Sequence, residues 1–148
     1  MYEKSRDISY ETEEVLVKQP DFHERVTDLL TSFSTDATKV LIAGNEPVVW
    51  KDVPIHARHE VEHILQELMV NMSKHSRASQ VVVRFERKQG AVRIHYHDNG
   101  TGLPEAVKHG NGLTNTGNRI KSLRGNITFD SESEKGLKIQ LDFPIALT

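Results

Sequence analysis

The chain has 148 residues, 19 lysines and arginines against 21 aspartates and glutamates, and no cysteine. That length suits one domain able to bury its own core without a metal or disulfide staple, and the net charge of −2 argues against binding nucleic acid by phosphate neutralisation. The absence of cysteine excludes disulfides, cysteine-ligated zinc, iron–sulfur clusters and thiol nucleophiles, and no apolar run approaches the roughly 20 residues of a membrane span.

In chain order, residues 1–20 are highly charged with sparse apolar positions, which reads as a helix or linker ending at Pro20. Asp21 suits the N-cap of a helix over Phe22–Phe33, with Phe22, Val26, Leu29, Leu30 and Phe33 at helical spacing. Lys39–Ala43 and Pro47–Trp50 read as two short strands around a Gly44-Asn45-Glu46 turn. Pro54 suits the first turn of a long helix reaching about Arg77, with Val61, Ile64, Leu65, Leu68 and Met72 as its apolar stripe. Val81–Phe85 and Val92–Tyr96 are strands joined at Gln89-Gly90. A glycine-rich stretch runs from Asp98 to Gly112, then a helix over Leu113–Leu123 ended by Gly125. Ile127–Phe129 and the alternating Leu137, Ile139, Leu141 and Phe143 close the chain as a hairpin. Paired strands separated by helices predict an α+β fold: a two-layer sandwich whose mixed, mostly antiparallel sheet carries helices on one face.

Three features carry chemistry. At about 100° per residue, Glu67, Asn71 and Lys74 fall within an arc of about 60° beside the apolar stripe, with His75 between them and it. A carboxylate there can orient or deprotonate a nucleophile, an amide oxygen can ligate Mg²⁺, and an ammonium can meet phosphate. The same residues also fit a solvated helix face with i,i+4 pairs. Asp98 continues the face of Val92, Ile94 and Tyr96, so its carboxylate points toward the core and needs a donor. An adenine amine is one such donor; an Asp-Asn-Gly turn capping its own loop is the alternative. Lastly, Gly110-Asn111-Gly112-Leu113 opens a helix, where free N–H groups favour phosphate, and residues 103–109 would form a short lid.

The order of these features is more specific than any one of them. Glu67-x-x-x-Asn71-x-x-Lys74-His75, Asp98-x-Gly100-x-Gly102 and Gly110-x-Gly112-Leu113 together resemble the gyrase/heat-shock/histidine-kinase/MutL ATPase superfamily. The stretch ELMVNMSKHSRAS with its short lid is similar to bacterial sensor histidine kinases of the nitrate-sensor type. The resemblance covers roughly residues 22–145. It implies a Bergerat-type fold holding ATP with Mg²⁺ between the helix layer and the lid. By matching position, it places Asn71 on Mg²⁺, Lys74 and His75 near the phosphates, and Glu67 beside the attacking group. Asp98 would accept from the adenine amine, Gly100 and Gly102 would shape the adenine pocket, and Gly110, Gly112 and Leu113 the phosphate loop. One departure stands out: Gly136 is followed by Leu137, where the superfamily often has a threonine near the adenine.

The resemblance also implies a partner, a histidine-bearing dimerisation domain, with a response regulator beyond it; no nucleic acid and no membrane contact are expected. The chain has no room for the second long helix of a dimerisation domain between His23 and Asn71, so His23 is expected as an exposed helix residue. Arg6–Glu11 resembles the end of such a helix, which would make this the cytoplasmic catalytic end of a longer, membrane-anchored or soluble kinase. An anti-sigma serine kinase and a non-catalytic nucleotide-binding module share the fold and remain open. His59-Glu60-Val61-Glu62-His63 matches the HExxH pattern of zinc hydrolases, without a third ligand at a characteristic spacing.

Overall fold

The computed structural model describes residues 21–101, 114–132 and 136–145. Helix α1 spans Phe22–Thr31, strand β1 Lys39–Ala43, the short helix α2 Pro47–Trp50 and the long helix α3 Ile55–Asn71. A π-helical turn follows at Met72–Ser76. Strands β2 (Gln80–Lys88) and β3 (Ala91–Asp98), helix α4 (Thr114–Ser122), and strands β4 (Asn126–Glu132) and β5 (Gly136–Pro144) complete the order. The sheet runs β1-β2-β3-β5-β4, with β1 parallel to β2 and every other pair antiparallel. This is the expected α+β sandwich.

The two layers meet along matched apolar faces. Val26 and Leu30 of α1 and Val61, Ile64, Leu65, Leu68 and Met69 of α3 are buried. They pack in one cluster with alternate residues of the central strands, among them Val83, Phe85, Ile94, Leu141 and Phe143. Each such side chain contributes about 1.5–3 kcal/mol relative to an exposed one. The period of 3.6 in the helices and of 2 in the strands therefore reads directly onto the core.

One expected strand is a helix. Pro47 starts α2, where its missing N–H costs nothing, and the turn buries Val49 and Trp50. Trp50 packs edge-on against Phe22 and Phe85, with ring centroids 4.8 and 5.6 Å away. Its indole N–H donates to Asn45 Oδ1 at 2.8 Å, and the Asn45 amide donates to the His23 carbonyl at 2.8 Å. Burying one large aromatic outweighs the strand preference of two valines. With no hairpin partner, β1 pairs parallel with β2, and the chain through α2 and α3 supplies the crossover that a parallel pair needs.

Smaller corrections follow the same logic. Asp21 occupies the N-cap of α1 but its side chain makes no capping bond, and the helix ends at Thr31. Pro54 is the N-cap of α3, one residue before the first turn. His23 is half-buried, with its Nδ1 buried and taking no hydrogen bond among the described residues. The division at residue 20 and the charged N-terminal segment lie outside the described residues.

Candidate nucleotide site

Helix α3 does not run unbroken to Arg77. It widens into the π turn at Met72–Ser76 and stops at Arg77, whose φ of 54° is left-handed. Glu67 and Asn71 lie in the α-helical part, one turn apart on one face, and both are half-buried. Lys74 and His75 lie in the wider turn, where 100° per residue no longer applies. Lys74 is exposed and His75 half-buried, and the helical spacing behind the expected 60° arc of Glu67, Asn71 and Lys74 runs unbroken only through Asn71.

Glu67 is tied to the helix that follows the glycine-rich stretch. Thr116 of α4, fully buried, donates its hydroxyl to Glu67 Oε1 at 2.7 Å. A second link joins the same helices: Arg119 Nη1 meets Glu60 Oε1 at 2.8 Å. Sequence reading missed Thr116, because nothing in a single sequence pairs residues 49 apart. Thr116→Val keeps the shape and removes the donor. The expected result is a loss of about 1–2 kcal/mol in urea unfolding, since a half-buried carboxylate oxygen loses its bond.

Asp98 ends β3 with its carboxylate 1% exposed, on the same side as Val92, Ile94 and Tyr96. Both readings of it are present at once. Oδ1 accepts the Gly100 backbone N–H at 2.9 Å, the turn-capping contact, and the Leu137 N–H at 3.3 Å. Oδ2 accepts the Tyr96 hydroxyl at 2.6 Å. Burial, and then the neighbouring Asp98 charge, push the Tyr96 phenol well above its ordinary range. The next residue, Asn99, holds the loop from outside, its Oδ1 accepting from the N–H groups of Ser79 and Gln80 at 2.9 and 3.0 Å.

Two glycines close this corner. A Cβ on Gly100 would collide with the hydroxyl and carbonyl of Ser76, at the end of the π turn. Packing of the protein on itself, not only access for a ligand, therefore requires glycine there. Gly136 has φ +84°, and a Cβ on it would collide with the Asp98 carbonyl. The Ser76 hydroxyl is buried and takes no hydrogen bond among the described residues. Gly102, Gly110, Gly112 and Leu113, with the expected lid, lie outside the described residues.

The zinc pattern does not assemble. His59 and His63 are exposed, Glu60 is engaged by Arg119, and no group of three metal-capable side chains occurs among the described residues. A hollow of about 410 Å³ lies on the other face of the sheet, lined by Arg84, His95, His97, Thr128, Lys138 and Gln140 among others. Tyr96 also lines it, but strand alternation sends the His95 and His97 side chains to the face opposite those of Tyr96 and Asp98.

A buried carboxylate thus ends β3, and an acid and an amide lie on the covering helix α3 of this α/β sandwich. The chain belongs to the histidine kinase-, DNA gyrase B-, and HSP90-like ATPase family, whose model matches residues 56–147. ATP is accordingly its nucleotide. It is 32% identical over 93 residues to the nitrate/nitrite sensor protein NarX of Escherichia coli, covering 62% of this chain and 16% of that protein. It is 28% identical over 86 residues to the sensor histidine kinase ComP of Bacillus subtilis, covering 55% of this chain and 11% of that one. The solved blue-light activated histidine kinase of Erythrobacter litoralis superposes with a TM-score of 0.72 at 20% identity, over 90% of this chain and 44% of that one. That likeness shows the fold. The chain thus spans less than a fifth of the two curated relatives. No helix among the described residues is long and apolar enough to cross a membrane.

Proposed function

We propose that this chain is the ATP-binding catalytic part of a cytoplasmic sensor histidine kinase that transfers the γ-phosphoryl group to a histidine on a dimerisation domain. A ring nitrogen of that histidine attacks the γ-phosphorus. The bond from phosphorus to the β–γ bridging oxygen breaks, and ADP leaves. A response regulator takes the phosphoryl group onward. Catalysis of this reaction is mostly positioning and charge neutralisation.

The residues divide between base and phosphates. Asp98 accepts from the exocyclic amine of adenine, with Gly100 and Gly102 shaping that pocket. Gly110, Gly112 and Leu113 form the phosphate loop, and Lys74 and His75 approach the phosphates. Glu67 accepts the N–H of the attacking imidazole and so raises its nucleophilicity. The amide oxygen of Asn71, one turn from the Glu67 carboxylate, is the kind of hard oxygen donor that Mg²⁺ takes. Bound there, Mg²⁺ neutralises charge on the phosphates.

The observation that carries this reading is the Asp98 corner: a carboxylate 1% exposed, held by three protein donors in a family of ATPases. The named sensor kinases among its relatives favour histidine over serine as acceptor. Calorimetry with a non-hydrolysable ADP analogue and Mg²⁺ is the first test. No binding at millimolar nucleotide would leave the fold as an interaction module. If binding is seen, incubation with a histidine-bearing dimerisation fragment, against an anti-sigma partner, separates the two kinases. Asn71→Asp places a second carboxylate where the amide oxygen stood. It is expected to slow Mg²⁺-dependent transfer about 10²-fold, read from phosphohistidine formation.

A further inference from the structure

Asp98 is largely satisfied before any ligand arrives. An ionised carboxylate offers about four acceptor sites and donates nothing. Two backbone N–H groups occupy Oδ1, and the Tyr96 hydroxyl occupies one side of Oδ2 at 2.6 Å. Among the described residues, one site on Oδ2 is left. Tyr96 and Asp98 are 2% and 1% exposed. The phenol is the donor in this pair. Leu137 contributes only its backbone N–H to the corner.

We infer that Tyr96 is a positioning residue for the base: its hydroxyl holds Asp98 so that one acceptor site on Oδ2 remains, and this sets the preference for a 6-aminopurine over a 6-oxopurine nucleotide. The inference rests on the nucleotide reading above. An amino group fills a lone acceptor site with one N–H. A 6-oxo group brings lone pairs against lone pairs, which is repulsive. Without the Tyr96 hydroxyl, Oδ2 has a second open site that a water can fill. Water both donates and accepts, so it can turn to serve a carbonyl. The selectivity of the corner then falls.

The test compares ADP with IDP by calorimetry on the wild type and on Tyr96→Phe, which keeps the ring and removes only the hydroxyl. The variant is expected to bind ADP about tenfold more weakly, with the ADP-to-IDP affinity ratio narrowed by a similar factor. A purely structural hydroxyl would weaken both nucleotides alike and leave the ratio unchanged. A second measurement needs no variant: in the wild type, saturating ADP is expected to shift the Tyr96 ring resonances by NMR. Failure of the wild type to bind ADP at millimolar concentration overturns the nucleotide reading and this inference with it. Wild-type binding with an unchanged ratio in Tyr96→Phe, or Tyr96 resonances unmoved by ADP, overturns this inference alone.

Discussion

Asp98→Asn is expected to lower ADP affinity about 10²-fold while costing only about 1–2 kcal/mol of stability, with calorimetry and urea unfolding as the checks. The asymmetry follows from who faces each atom. The two backbone N–H groups of Gly100 and Leu137 need an oxygen and keep it at Oδ1. The amide nitrogen then replaces Oδ2, opposite Tyr96. The tyrosine hydroxyl can rotate and accept instead of donating, so the fold loses little. The ligand cannot adapt in the same way: an adenine amine would meet another N–H₂. Asp98→Ala acts differently, leaving the Tyr96 hydroxyl and two N–H groups without their acceptor, and is expected to destabilise the fold more strongly. Equal affinity for ADP in wild type and Asp98→Asn would remove the base from this corner.

Gly136→Ala is expected to cost about 2–5 kcal/mol in urea unfolding, with nucleotide binding weakened in the same variant. Two costs add. The backbone at φ +84° is a region that side chains with a Cβ rarely occupy. The new methyl also runs into the Asp98 carbonyl, so the start of β5 must move away from the end of β3. That movement stretches the Leu137 N–H bond to Asp98 Oδ1, already 3.3 Å long. Stability and binding should therefore fall together, unlike in Asp98→Asn. An alanine variant as stable as wild type would show that the close approach is not required.

Much of this was legible residue by residue. Asp98 was placed inward by strand alternation alone, since Val92, Ile94 and Tyr96 fix which side position 98 faces. Glu67 and Asn71 were aligned by helical spacing, and the apolar stripe of α3 appeared as read. Lys74 and His75 lie beyond that regular spacing, in a π turn that has no sequence signature and changes the rotation per residue. The strand expected at Pro47–Trp50 failed for another reason. Propensity favoured a strand, but a pocket between Phe22 and Phe85 rewarded burying Trp50 from a helical turn.

By itself, the sequence determined what depends on neighbours within a turn or a strand: element type, which face is apolar, and that an acid, an amide and a buried carboxylate occur in this order. Tertiary structure alone decided the pairings across long separations. It brought Thr116 to Glu67, Arg119 to Glu60 and Leu137 to Asp98. It also put β1 parallel to β2, because the partner for its backbone groups lay beyond α3 rather than in the next turn. The physical reason is the same in each case. A hydrogen bond between distant residues depends on how two layers pack, and packing is a property of all the buried side chains together.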